Sequence, residues 1–245
     1  MRANADPNGP MWLWGTHAAL AALANPARRI DRVLATRNAA THLPPGIADQ
    51  KAFQLLQPDA IDSALPPGAV HQGLAVRAWP LEPKALDEAC APADTRPVVV
   101  LDGVTDPQNV GAIFRSAAAF HARALVMQDR KSPPLTGALA KAAAGAVELV
   151  PEVRVVNVSR ALNELSEMGY LTVGLVGDAD LTLAHELADA RPAAIALGAE
   201  GKGLRDGVRA ACERVARILI NPAMESLNVS NAAAIALYEA SRSKA

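Results

Sequence analysis

The chain has 245 residues, is 51% hydrophobic and 3% aromatic, and carries a formal net charge of −1. That length holds one large domain or two modest ones, with a core of alanine, valine and leucine packed through many small contacts. Near-neutral charge argues against a protein that coats nucleic acid by bulk electrostatics, but it leaves room for a local basic patch. Arginines cluster early (Arg28, Arg29, Arg32, Arg37) and late (Arg205, Arg209, Arg214, Arg217). Cys90 and Cys212 lie far apart, and no close Cys/His spacing suggests zinc or a disulfide framework. Residues 1–10 lack the apolar run of a signal peptide, and no stretch has the length to span a membrane. The expectation is a cytoplasmic protein without a metal.

Trp12 to about Trp79 reads as a small α/β unit. Thr16 is placed to cap a helix through His17–Leu23, which Asn25-Pro26 ends. Arg32–Thr36 is expected as a strand, Asp49–Leu56 as helical, and Ala75–Trp79 as a closing strand. Pro80, Pro83, Pro92 and Pro97 then punctuate a polar, alanine-rich linker that holds a short helix. The domain reading is therefore 1–80, a linker over 81–96, and a second domain over 97–245.

From Pro97 onward strands alternate with helices. Val98–Leu101 has no polar interruption, as in a parallel strand covered on both faces. A helix to about His121 follows, then strand 124–127, an alanine-rich helix over 132–146, strand 153–156 and a helix over 159–168. Strands over 170–173, 193–197 and 217–220 precede a last helix over about 230–241. Such βα repetition predicts a mostly parallel sheet between helix layers.

Three stretches at strand ends carry the chemistry. After Leu101, Asp106 fits an N-cap and Pro107 the first helical position. Asn109 then lies in the first turn, where backbone donors and the helix dipole favour an anion. Arg115 follows six positions later, about 120° around the helix, so only its length would let it share a ligand with Asn109. In the second stretch, Gly198, Gly201 and Gly203 form a turn holding Glu200. It is neither the dinucleotide fingerprint nor a P-loop, because the glycine order is wrong and no Ser or Thr follows Lys202. A loop at the carboxyl end of a parallel strand is where open α/β sheets bind ligands. In the third, Ile218, Ile220 and Leu227 offer apolar walls, while Ser226 and Asn228 supply groups able to orient a ribose or phosphate. Asn228 or Ser230 also suits the cap of the last helix.

These stretches, in this order, resemble the three motifs of the SpoU/TrmH family of RNA ribose 2′-O-methyltransferases. Trp14-Gly-Thr-His-Ala-Ala-Leu20 and Gly68-Ala-Val-His-Gln-Gly-Leu74 are similar to stretches of the bacterial 23S rRNA guanosine-2′-O-methyltransferase subfamily. The resemblance implies an α/β catalytic domain with a C-terminal trefoil knot and a small N-terminal α/β RNA-binding domain. It implies a homodimer acting on RNA, 23S rRNA first, with no membrane or DNA partner. S-adenosylmethionine is the implied methyl donor. Asn109, Arg115, Glu200, Ser226 and Asn228 are the implied catalytic residues; Gly198, Gly201, Ile218, Ile220 and Leu227 are the implied donor contacts. Leu219 stands where many relatives have proline, and Leu175 where many have threonine. Alternative readings are a tRNA ribose methyltransferase and a non-catalytic RNA-binding or ribosome-assembly protein. An NAD-dependent oxidoreductase lacks its glycine fingerprint.

Overall fold

A computed structural model describes residues 9–242. In chain order it begins with β1 (Met11–Trp14), α1 (Thr16–Ala24), β2 (Ile30–Ala35), α2 (Arg37–Ala40), β3 (Phe53–Leu55), α3 (Pro58–Asp62) and β4 (Leu74–Ala78). Next come α4 (Leu86–Ala89), β5 (Val98–Asp102), α5 (Pro107–Ala119), β6 (Ala124–Gln128) and α6 (Gly137–Ala143). The chain closes with β7 (Glu152–Val155), α7 (Val158–Glu167), β8 (Leu171–Leu175), α8 (Leu183–Glu186), β9 (Ala193–Gly198), α9 (Asp206–Ala211), β10 (Arg214–Ala216) and α10 (Val229–Arg242). These elements form two compact units among the described residues: one runs to Glu82 and includes Pro134–Leu149, the other comprises Pro83–Pro133 and the described residues from Val150.

The first unit has a four-stranded sheet in the order β1-β4-β2-β3. β4 pairs antiparallel with β1 and β2, whereas β3 pairs parallel with β2. Gly137 opens α6 against Trp14, and a Cβ there would sit 2.1 Å from the indole. Arg28 and Glu148 form a fully buried ion pair at 2.5 Å. Asn25 Nδ2 also donates to that carboxylate, at 2.8 Å, and Arg28 Nη1 donates to the Trp79 carbonyl. Arg29 stacks 3.9 Å over the Trp79 ring. Two of the early arginines therefore serve the unit's own packing.

Several local expectations change here. Asp49–Leu56 is not helical. Its first half is turns, and Phe53–Leu55 is strand β3, because the pairing Val33↔Phe53 and Leu34↔Gln54 overrides local preference. Thr16 is not the N-cap; Gly15 occupies that position, and Gln72 Oε1 accepts the Thr16 N–H at 3.1 Å. The helix expected over 132–146 is the shorter α6. Pro133 and Pro134 cannot lie inside a helix, Thr136 caps the start, and left-handed Ala144 and Gly145 end it.

The second unit is a six-stranded, wholly parallel sheet in the order β10-β8-β9-β5-β6-β7. Every residue of β5 and β6 is buried. Alternation splits the strands between two layers. Val98, Val100, Ala194 and Ala196 pack with α7 and α9, while Ala193, Ile195 and Val173 pack with α8 and α10. Tyr170 is completely buried and its hydroxyl donates to the Cys90 carbonyl at 2.9 Å. Burial pushes both thiols, Cys90 and Cys212, up to about 12, so neither ionises at neutral pH.

The chain steps from β5 through β6 to β7 at one edge, then returns to the other side of β5 with β8, β9 and β10. The order therefore reverses between β5 and β9, and a crevice opens beyond the carboxyl ends of these strands. The strand expected over 217–220 lies three residues earlier, as β10. Beyond it Arg217 makes only an isolated bridge to Thr182, and Ile218 and Ile220 turn to a cavity instead of a ladder.

Candidate active site

β5 ends in Asp102, a carboxylate with no side-chain exposure. It accepts from Arg205 N at 3.0 Å, Nε at 2.8 Å and Nη2 at 2.6 Å. Asp102 is also in register with Gly198 on β9. The carboxylate thus fastens the far end of the glycine-bearing loop to the sheet. Neither Asp102 nor Arg205 was singled out by the motifs; the available signal was a carboxylate closing an uninterrupted apolar strand.

The loop doubles back on itself. A Cβ on Gly198 would lie 2.0 Å from the Gly203 carbonyl carbon and 2.2 Å from Leu204 N. Gly203 N donates to the Ala199 carbonyl at 2.8 Å, and Gly201 and Gly203 have φ of +74° and +63°. Each glycine meets a requirement that a side chain would break. The reversal presents Glu200 at its tip.

Asp106 caps α5 as expected, accepting from Gln108 N at 3.0 Å, with Pro107 in the first turn. This aims the buried Asn109 at the loop tip. Glu200 Oε1 accepts from Asn109 Nδ2 at 3.0 Å and from Asn228 Nδ2 at 2.7 Å. Asn228 Nδ2 also donates to Asn109 Oδ1 at 3.0 Å. Asn228 Oδ1 in turn accepts from Ser230 N at 2.9 Å, which fixes the start of α10. One residue from each motif meets in this network. Glu200 Oε2 makes no hydrogen bond with a described residue.

A cavity of about 520 Å³ lies at the carboxyl ends of β8 and β9 and beside the segment after β10. Glu200, Ser226, Gly198, Gly201, Ile218, Ile220 and Leu227 all line it. Leu175, Val176 and Leu197 add apolar wall, and Asp178 and Arg209, unforeseen from sequence, face each other as an ion pair at 2.9 Å. The Arg209 guanidinium holds the Asp178 carboxyl below its ordinary range. Arg115 is apart from this set. It is exposed on α5, outside the cavity lining, and makes no hydrogen bond or ion pair with a described residue. The late arginine cluster is mostly neutralised: Arg205, Arg209 and Arg214 pair with Asp102, Asp178 and Glu186. Among the described residues no group of three or more His, Cys, Asp or Glu is placed to hold a metal ion. No described helix is long and apolar enough to cross a membrane.

The model of the SpoU rRNA methylase family matches residues 96–238. The chain belongs to this family. It is 38% identical to the 23S rRNA (guanosine-2′-O-)-methyltransferase RlmB of Shewanella oneidensis, over 95% of this chain and 97% of that one. The SpoU methyltransferase AviRb from Streptomyces viridochromogenes matches its fold with a TM-score of 0.81 at 21% identity, over 96% of this chain and 90% of AviRb. A second AviRb structure, in complex with the cofactor AdoMet, gives a TM-score of 0.78 at the same identity and coverage. The parallel α/β sheet of the second unit is therefore that of SpoU methyltransferases.

Proposed function

We propose that this chain transfers a methyl group from S-adenosylmethionine to a ribose 2′-hydroxyl of RNA, at a guanosine of 23S rRNA. The observation that carries the reading is Glu200, held by Asn109 and Asn228 at the edge of the cavity beyond β8 and β9. The cavity suits the methyl donor. Leu197, Ile218, Ile220 and Leu227 give apolar walls for a purine, and Gly198 and Gly201 allow close backbone approach. Glu200 and Glu225 add carboxylates to the lining, which suits a donor that carries a positive sulfonium, while Asp178 is already paired with Arg209.

When bound, S-adenosylmethionine supplies a methyl group already activated for transfer. The 2′-hydroxyl is the reluctant partner, so the chain must align it and deal with its proton. Glu200 and Asn109 fix the geometry of the ribose side, Asn228 holds both in place, and Ser226 contacts the target nucleotide. A guanidinium gives up a proton only at very high pH. We therefore assign Arg115 to pairing with an RNA phosphate and stabilising the developing alkoxide. No metal is needed for this chemistry.

Residues 1–80 are read as the RNA-holding domain, 81–96 as a linker and 97–245 as the catalytic domain, although Pro134–Leu149 packs within the first unit. The gathering of the segments after β8, β9 and β10 around one cavity supports the trefoil knot of the family. The exposure of Arg115, apart from the Glu200 network, supports a homodimer that completes the site. A cytoplasmic location follows from the rRNA substrate. The relative named for 23S rRNA matches 95% of this chain, which favours rRNA over tRNA.

Calorimetry with S-adenosylmethionine, and ribose-methylation maps of rRNA and tRNA from cells with and without the gene, test the proposal. Expected are donor binding and loss of one guanosine 2′-O-methyl group from 23S rRNA. Loss from tRNA alone would move the substrate, and absence of donor binding would leave a non-catalytic RNA-binding or ribosome-assembly protein.

A further inference from the structure

The turn after β6 takes no part in the chemistry above, yet it is unusually polar for its burial. Gln128 is 6% exposed and Ser132 is 7% exposed. Gln128 Oε1 and Ser132 Oγ are both buried without a hydrogen-bond partner among the described residues. Buried polar atoms are nearly always paired, because leaving them unpaired is unfavourable. A turn that keeps two of them is not optimised for its own stability.

The backbone of the turn is nevertheless well framed. Ser132 N donates to the Gln128 carbonyl at 3.2 Å. Arg154, on β7, donates to the carbonyls of Gln128, Ser132 and Pro133 at 3.3, 3.4 and 2.8 Å, and its Nε pairs with Glu152. That guanidinium is fully used within the protein. Arg130 and Lys131 are different: both are exposed, and neither makes a hydrogen bond or ion pair with a described residue. Asp129 beside them offsets one of the two charges, so the turn stays cationic.

Its position matters. β6 lies parallel to β5 with Val100↔Val126 in register, so two residues further on Gln128 is level with Asp102. Asp102 is in turn in register with Gly198. Two strand spacings place Gln128 about 10 Å from Gly198 along the carboxyl edge of the sheet. An RNA strand with its target ribose at Glu200 has its neighbouring nucleotide within reach of this turn.

We infer that the Gln128–Ser132 turn is a second RNA contact, holding the nucleotide beside the methylated one. Arg130 and Lys131 take backbone phosphates. Gln128 and Ser132 rotate outward to hydrogen-bond the base or sugar, which gives their unpaired atoms partners. The inference rests on the cavity being the methyl-transfer site.

The test uses the full chain and a 23S rRNA transcript, with RNA binding measured against salt. The double variant Arg130→Ala/Lys131→Ala is expected to weaken RNA binding about tenfold and to lower the slope of log K against log salt by about 1.4, two phosphate contacts on a single strand. S-adenosylmethionine affinity and kcat at saturating RNA stay at wild-type values. Gln128→Leu is expected to keep the thermal midpoint, since its oxygen has no partner to lose, and to weaken RNA binding several-fold without changing the slope. Wild-type binding and slope in the double variant overturn the inference. So does a Gln128→Leu protein with a lowered midpoint and unchanged RNA affinity. If the wild-type chain methylates no ribose, the enzyme reading fails, while the difference in salt slope still decides whether the turn binds RNA.

Discussion

Glu200 binds two amides through one oxygen, whereas Arg115 makes no hydrogen bond or ion pair with a described residue. The two residues therefore respond differently to substitution. Arg115→Lys keeps the charge and removes the planar fork that pairs with phosphate. Its kcat is expected to fall about a hundredfold or more, the scale of losing one donor to a developing oxyanion, with S-adenosylmethionine binding intact by calorimetry. Near-normal methylation by Arg115→Lys would reject a special role for the guanidinium. Gly198→Ala makes the opposite prediction. The added methyl meets backbone at 2.0 Å, and backbone cannot step aside as a side chain can. The turn must open, so donor binding is expected to vanish and stability to drop by about 1–3 kcal/mol, the usual cost of overpacking. A Gly198→Ala protein with wild-type donor affinity would show that the doubled-back loop is not the binding wall.

Short elements held by charge show how far tertiary contacts govern this fold. β10 has three residues, and its entry is tied down by Arg214, which pairs with Glu186 and Asp189 at 3.2 Å each. Arg191 adds bonds to Asp189 and Glu213. The hydrogen bonds from Arg191 hold the Asp189 carboxyl at about 2, below its ordinary 3.8. A carboxyl depressed in the folded state stabilises above its unfolded pKa and loses that contribution as pH falls through its folded pKa. The network's stabilisation is thus complete above about pH 4 and is lost towards about pH 2. Asp189→Asn is expected to flatten the fall in thermal midpoint between those values, and an unchanged slope would place the acid sensitivity elsewhere. β5 and the start of α5 were legible in the sequence, because an unbroken apolar run and an Asp-Pro cap are local signals. β3 and β10 were not, since a three-residue strand owes its identity to its neighbour's register. The same holds at the site. Glycines and amides announced themselves by motif, but the Asp102–Arg205 bond spans 103 positions and leaves no periodic trace.

At the scale of the whole molecule, the proposed homodimer has a consequence for Arg115. Within one chain Glu200, Asn109 and Asn228 are already joined, while Arg115 stands exposed and unpaired with any described residue. In the homodimer we propose, Arg115 serves the partner's Glu200 network. It predicts complementation. Arg115→Ala and Glu200→Ala chains are each inactive alone, because each symmetric dimer carries the same defect in both sites. Mixed by co-expression, the heterodimer pairs the intact Arg115 of one chain with the intact Glu200 of the other at one site and leaves the second site doubly defective. With random pairing half the dimers are mixed and each has one working site, so the mixture returns to about a quarter of wild-type activity and the purified heterodimer to about half. If Arg115 instead serves its own chain, every site in the mixture lacks one group and activity stays at background. Methylation of a 23S rRNA transcript by tagged, purified heterodimers separates these outcomes, since the tags exclude either parental dimer from the signal.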